Sequence, residues 1–366
     1  MSAAPIPTLH PSLRRGDFSQ APFLVIWEVT RACDLACRHC RASSQAHRDP
    51  TELSTAEGKR LLDDVRAEFG PVLVILTGGD PCKRDDLEDL IAHGAGLGLR
   101  MALSPSATPL LTRDRIRSIA AAGACRMSLS LDGADTATHD AFRGVEGTFA
   151  RTMDALRWVP EAGCEVQINS SIHPGNVHQL RDLARIGTDA GISLWSVFFL
   201  VPTGRAKDVD LLTAAWHEQA WRELADVALD PATPFDIKTT AGQPFYRVLS
   251  QEATRRGFAG NLRKGLRSPA GVNDGNGICF VSWEGDIRPS GFLTLTCGNV
   301  RRESIASVYR GGATFRALRD PDNFHGKCGH CEFNRICGGS RSRTFAMTGD
   351  PLAADPTCVY QPRTPA

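Results

Sequence analysis

At 366 residues the chain exceeds one typical domain, so either one large and one small domain or a barrel with an appendage fits its length. Its composition, 42% hydrophobic and 23% charged, is that of a globular chain with a real core, and 42 basic against 41 acidic residues leave a formal charge of +1. That balance excludes a net electrostatic attraction to nucleic acid or anionic lipid. No apolar stretch reaches the length of a signal peptide or a membrane span, so no nucleic acid, no membrane and a cytoplasmic location are expected.

Residues 1–20 carry Pro5, Pro7 and Pro11 without periodicity and read as a leader. The apolar, β-branched run Phe23–Thr30 predicts a first strand, and the 3.6-residue spacing over Thr55–Phe69, capped by Ser54 or Thr55, predicts a helix. The unit repeats with strands at Val72–Thr77, Arg100–Ser104, Met127–Leu131, Glu165–Ile172 and Ser193–Leu200. Helices are predicted near Asp85–Leu97, Thr112–Ala122, Thr148–Ala162 and Val177–Ala190. Such alternation demands parallel pairing with crossover helices, so the fold class is α/β, a partial (β/α)6 TIM-like barrel. Helical character returns at Leu212–Leu229, and from about Gly277 the texture changes to short strands, Gly-rich turns and cysteines, as in a small metal-stapled module. The expected domains are a leader (1–20), a barrel (21–230), a bridge (231–275), a C-terminal module (276–361) and a tail (362–366).

In a reducing compartment 12 cysteines are not a disulfide framework, and metal binding is the leading explanation. Cys33, Cys37 and Cys40 lie in the loop after the first strand, on the face where α/β barrels build active sites. Three thiolates suit three irons of a cubane whose fourth iron stays open; zinc would need a fourth donor, for which only His39 or His47 is near. Cys328, Cys331, Cys337 and Cys358 supply four thiols, enough for a fully ligated cubane or for a structural zinc. Cys82, Cys125 and Cys164 lie on or beside apolar strands and read as small core residues.

The Cys-x3-Cys-x2-Cys loop after a first strand resembles that of the radical S-adenosylmethionine (radical SAM) superfamily, as does Thr77-Gly78-Gly79-Asp80-Pro81 after the second. The resemblance implies a [4Fe–4S] cluster on Cys33, Cys37 and Cys40 that cleaves S-adenosylmethionine (SAM) and makes this chain an enzyme. His39 stands where the family usually has an aromatic residue along the adenine, and Asp80 replaces the more usual Glu. Gly78 and Gly79 would let the backbone approach the ligand, and strand-end carbonyls with the Asp80 side chain would receive the methionine ammonium. Further cofactor contacts are expected at Pro81, Ser104, Ser106, Ser130, Asp132, Gln167, Asn169 and Leu200.

The second cysteine group resembles the SPASM (twitch-like) extension with its auxiliary [4Fe–4S] clusters. Arg341 and Ser290 stand where a second auxiliary cluster would need cysteine, and Cys279 and Cys297 alone are too few, so one auxiliary cluster is expected. Trp195–Phe199 with Pro202–Arg205, Gly291–Leu293, Gly298–Arg301, Gly338–Arg341, Gly349-Asp350 and Asp355-Pro356 are similar to the haem-pathway branch, across roughly 20–361. That branch implies radical attack on a tetrapyrrole propionate, with Arg205, Arg341 and Arg343 as candidate carboxylate partners and reduced flavodoxin or ferredoxin as electron donor. A peptide maturase is the alternative within enzymology; an iron–sulfur electron-transfer protein is the alternative outside it.

Overall fold

The computed structural model describes residues 17–258 and 270–363; most of the expected leader and the end of the tail lie outside them. The strands are β1 (Leu24–Thr30), β2 (Leu73–Gly78), β3 (Arg100–Leu103), β4 (Ala124–Ser130), β5 (Glu165–Ile172), β6 (Leu194–Phe199), β7 (Asp236–Thr240), β8 (Ile278–Val281), β9 (Asp286–Arg288) and β10 (Gly298–Asn299). The helices are α1 (Thr55–Phe69), α2 (Leu87–Gly96), α3 (Arg113–Ala121), α4 (Thr136–Arg143), α5 (Thr148–Glu161), α6 (Leu180–Asp189), α7 (Ala214–Leu229) and α8 (Pro244–Arg255) around the barrel. Beyond it come α9 (Ile305–Gly311), α10 (Ala313–Arg319), α11 (Gly326–Gly329) and α12 (Arg341–Thr348).

All strands join one ten-stranded sheet in the order β10-β9-β8-β1-β2-β3-β4-β5-β6-β7. The run from β8 through β1 to β7 is parallel; β9 pairs antiparallel with both β8 and β10. The α/β class holds, but the parallel run is longer than the six strands expected. The stretch read as a bridge supplies β7 and α8, because a five-residue strand written Asp-Ile-Lys-Thr-Thr has no apolar run to betray it. β8, expected to open a separate module, pairs with β1, so the sheet crosses the expected boundary at 276 without a break.

Alternation along each strand sorts the two faces. Val25, Trp27, Val29, Val74, Leu76, Met101, Leu103, Ile168, Val197 and Ile237 point outward into the core beneath the helices. The positions between them point inward and stay open: Ile75, Thr77, Ser104, Asn169, Ser171, Phe198, Lys238 and Thr240 are only half-buried. The sheet also curls. Laid flat, β1 and β6 would be about 24 Å apart at roughly 4.8 Å per strand, yet Arg205 after β6 donates to the Cys37 carbonyl after β1 at 2.9 Å.

Candidate active site

Backbone pairing closes the loop after β1 on itself: Cys33 N–H donates to the Gln45 carbonyl at 2.8 Å and Gln45 N–H to that of Arg31 at 3.1 Å. Cys33, Leu35 and Cys37 form a small apolar cluster of their own, with Cys40 and Val145 against it. Each sulfur has an N–H donor: Leu35 N–H at 3.4 Å from Cys33 Sγ, Arg143 Nη1 at 3.8 Å from Cys37 Sγ, and Ser44 N–H at 3.5 Å from Cys40 Sγ. Such donors stabilise thiolates and tune a cluster they ligate. Burial pushes the Cys33 thiol up to about 11 and that of Cys37 above its ordinary value. Burial acts on Cys40 too but is outweighed by Ser44 and Arg205, which hold its thiol below the ordinary range. Arg205 donates to the Cys37 and Ser44 carbonyls and to Ser44 Oγ, at 2.9, 3.2 and 3.3 Å. It braces this loop and is not free for a substrate carboxylate.

The Gly78–Pro81 turn lies against the same loop. A Cβ on Gly78 would sit 2.2 Å from the Thr30 carbonyl oxygen, and one on Gly79 2.3 Å from that of Ala32. The glycines therefore permit an approach to protein backbone, a different reason from the one the motif suggested. Asp80 is wholly buried; its carboxylate accepts from Cys82 N–H (3.1 Å), Ser106 N–H (3.3 Å) and Thr108 Oγ1 (2.7 Å). Its side chain is committed to the turn rather than open to an ammonium, and Pro81 begins the short 3-10 turn that follows. Ser106 Oγ donates to the Gly79 carbonyl at 2.9 Å and lies 3.7 Å from Cys33 Sγ, which ties the third strand's end to the cysteine loop.

Asp132, too, is held by protein groups. It is fully buried, accepts from Ser171 N–H at 2.7 Å, and forms an ion pair with Arg143 at 2.6 Å, by distance rather than by hydrogen-bond alignment. His39 stacks on Phe142 at 4.1 Å between centroids, with its Nε2 3.8 Å from Asp132; burial, the largest effect, depresses its pKa to about 3. One face of the ring that would lie along an adenine is thus occupied. Ser104, Ser130 and Asn169 remain half-buried on the inner face, Gln167 donates to Asn169 Oδ1 at 2.6 Å, and Leu200 is buried just past β6.

The second cysteine group converges. Cys328, Cys331, Cys337 and Cys358 line one cavity, with Gly338, Gly339 and Arg247 on its wall. Gly339 N–H lies 3.4 Å from Cys337 Sγ, Asp355 N–H 3.4 Å from Cys328 Sγ, and Arg341 Nη2 3.7 Å from Cys328 Sγ. Arg341 and Arg343 are wholly buried: Arg341 donates to the Pro351 and Ala353 carbonyls, Arg343 to that of Ala241 and to Asp355. Both brace this module and neither reaches an open site. Ser290 accepts from Phe292 and Leu293 N–H, capping a turn where a cysteine was absent. Among the described residues no three His, Cys, Asp or Glu groups are set to hold a single metal ion. Cys82 and Cys164 are buried as expected, and Cys279 joins the main core, but Cys125 is exposed because the β3–β4 register slips at that point.

A family model described as the radical SAM superfamily matches residues 27–186. A protein of Oleidesulfovibrio alaskensis named AdoMet-dependent heme synthase is 40% identical over 351 residues, covering 95% of this chain and 89% of its own. The chain belongs to the radical SAM superfamily. A relative of the same name from Nitratidesulfovibrio vulgaris is 38% identical, covering 98% and 97% of the two chains. A PqqA peptide cyclase of Rhodopseudomonas palustris is 29% identical, covering 93% and 88%. Among solved structures, Streptococcus suis SuiB bound to S-adenosylmethionine matches with a TM-score of 0.70 at 16% identity, covering 93% and 78%, which shows a shared fold. The protein is a radical SAM enzyme, and enzymes of that superfamily use a [4Fe–4S] cluster and S-adenosylmethionine.

Motif reading missed α4, which carries residues that surround the Cys33–Cys40 loop. Phe142 stacks between His39 and His173, the latter at 3.9 Å, and Arg143 joins Cys37 to Asp132. The available signal was Asp135 followed by Thr138, an N-cap whose carboxylate accepts Thr138 N–H at 2.8 Å, and Gly144 at the C-terminus with φ +71°.

Proposed function

We propose that this radical SAM enzyme acts on propionate side chains of an iron tetrapyrrole. Its radical-generating [4Fe–4S] cluster is assigned to Cys33, Cys37 and Cys40, and one auxiliary [4Fe–4S] cluster to Cys328, Cys331, Cys337 and Cys358. The observation that carries the substrate class is the 40% identity, across 95% of the chain, to a protein named AdoMet-dependent heme synthase. When bound, the first cluster supplies the electron that splits S-adenosylmethionine into methionine and a 5′-deoxyadenosyl radical, which takes hydrogen from the substrate.

The chain's own residues hold and orient. The N–H donors at each sulfur keep the thiolates in place, and Asp80 fixes the Gly78–Pro81 turn against the cysteine loop, beside which the methionine ammonium would be received. Ser104, Ser130 and Asn169 on the inner face serve the ribose and carboxylate; Leu200 and the free edge of His39 flank the adenine, with Asp132 as a positioning residue. Arg41 pairs with Glu28 at 3.0 Å and lies over the Phe280 and Phe292 rings, tying the cysteine loop to β1 and to the module. The core position of Cys279 supports one auxiliary cluster rather than two. All 12 cysteines are unpaired, which supports the cytoplasm, and no described helix is long and apolar enough to cross a membrane. The electron donor is reduced flavodoxin or ferredoxin.

Anaerobic turnover of the reconstituted enzyme with iron coproporphyrin, S-adenosylmethionine and dithionite tests the reading: loss of propionate carboxyl groups supports it, and unchanged propionates count against it. The 29% identity to a PqqA peptide cyclase favours the peptide alternative more weakly. Conversion of a precursor peptide with no conversion of the porphyrin would select that alternative.

A further inference from the structure

We propose that Lys238, on the inner face of β7, anchors a carboxylate of the substrate. The proposal rests on the tetrapyrrole reading and adds a residue to it. Strand register sets Ser130 beside Asn169, Asn169 beside Ser196, and Ser196 beside Lys238, four polar residues in one row across four strands. The neighbouring residues Leu129, Ile168, Val197 and Ile237 are in the core, so the row faces the interior.

Two members of that row lack partners. Ser196 is wholly buried and its Oγ has no hydrogen-bond partner. Lys238 is half-buried, and among the described residues no carboxylate pairs with it; the charged group that acts on it is Arg126, which is itself held by Glu165 at 2.6 Å. An ammonium withdrawn from water without an anion is costly, and sites that keep one are built to receive a charge. Burial first, and Arg126 second, pull the Lys238 pKa down to about 8, so an arriving carboxylate would favour the charged form.

The surroundings suit a flat macrocycle with acidic arms. Phe198 pairs with Thr240 one inward-facing step above the Ser196–Lys238 pair, and its ring lies 6.2 Å from that of Phe292. Both rings are half-buried, leaving apolar surface on which an aromatic plane can pack while a propionate extends down to Lys238.

Reconstituted wild type, K238Q, K238R and K238M are titrated with iron coproporphyrin and with its neutral methyl ester, following the Soret band. Substrate-free 5′-deoxyadenosine formation is followed alongside. K238Q should weaken binding of the acid at least about ten-fold, as loss of a charge-assisted hydrogen bond requires. K238R should stay near wild type, binding of the ester should be the same in all four, and the KM for S-adenosylmethionine should not move. K238M should melt no lower than wild type, since it removes an unpaired, half-buried charge. Unchanged acid binding in K238Q overturns the proposal, as does a parallel rise in the S-adenosylmethionine KM, which would assign the lysine to the cosubstrate's carboxylate. Failure of wild type to bind the porphyrin would instead overturn the tetrapyrrole reading, and this inference with it.

Discussion

Asp132→Asn tests the ion pair behind the cysteine loop. Asp132 is fully buried and Arg143 nearly so, with 2.6 Å between them. At an effective dielectric constant of about 20, that separation is worth roughly 6 kcal/mol of Coulomb attraction before desolvation is subtracted. Asparagine keeps an oxygen for the Ser171 N–H but removes the charge, leaving the guanidinium buried and unpaired; such losses cost about 3–5 kcal/mol. Because Arg143 Nη1 also lies 3.8 Å from Cys37 Sγ, the uncompensated positive charge should raise the reduction potential of a cluster held there. Urea melts of D132N and of the volume-matched D132N/R143M pair, with a redox titration followed by EPR, provide the measurements. The double variant should recover much of the lost stability. A D132N melt within about 1 kcal/mol of wild type, with an unmoved potential, would refute the reasoning.

Gly78→Ala and Gly79→Ala each drive a Cβ to within 2.3 Å of a backbone oxygen, so each should cost several kcal/mol and lower the iron bound per chain after reconstitution. Arg341→Met leaves two part-buried carbonyls without that donor and Cys328 Sγ with only the Asp355 N–H; it should destabilise by about 3 kcal/mol and release iron from the second site while the first stays loaded, read by Mössbauer spectroscopy. His139 and His217 are depressed to about 4, burial being the main cause in both, so the unfolded chain binds more protons below its ordinary histidine pKa. Stability should be full above pH ~6.5 and fall by about 1.4 kcal/mol per histidine per unit between there and ~4. His139→Gln should flatten that slope in pH-dependent urea melts.

The strands with apolar runs were legible because their outward faces pack under helices, and the cysteine loop was legible because three thiols on a polar stretch have no packing role. β7 was not, since its inward positions are Lys and Thr facing an open interior. The same openness makes Lys238 available to a ligand. Asp80, Asp132, Arg205, Arg341 and Arg343 were named as candidate ligand groups, and in the structure each also contacts protein groups. Motif logic names polar residues near a site but does not count the backbone groups already waiting for them. Arg143 and Phe142 escaped because α4 is an eight-residue insertion between β4 and α5 that breaks the strand–helix rhythm.

The most direct test of the account is mass spectrometry of iron coproporphyrin after anaerobic turnover, with 5′-deoxyadenosine counted in the same sample and a Cys33→Ala, Cys37→Ala, Cys40→Ala variant as control. The account predicts one 5′-deoxyadenosine for each propionate altered by wild type and neither product from the variant. Intact propionates from wild type that still cleaves S-adenosylmethionine would contradict the assigned substrate, and 5′-deoxyadenosine from the triple variant would contradict the assigned cluster.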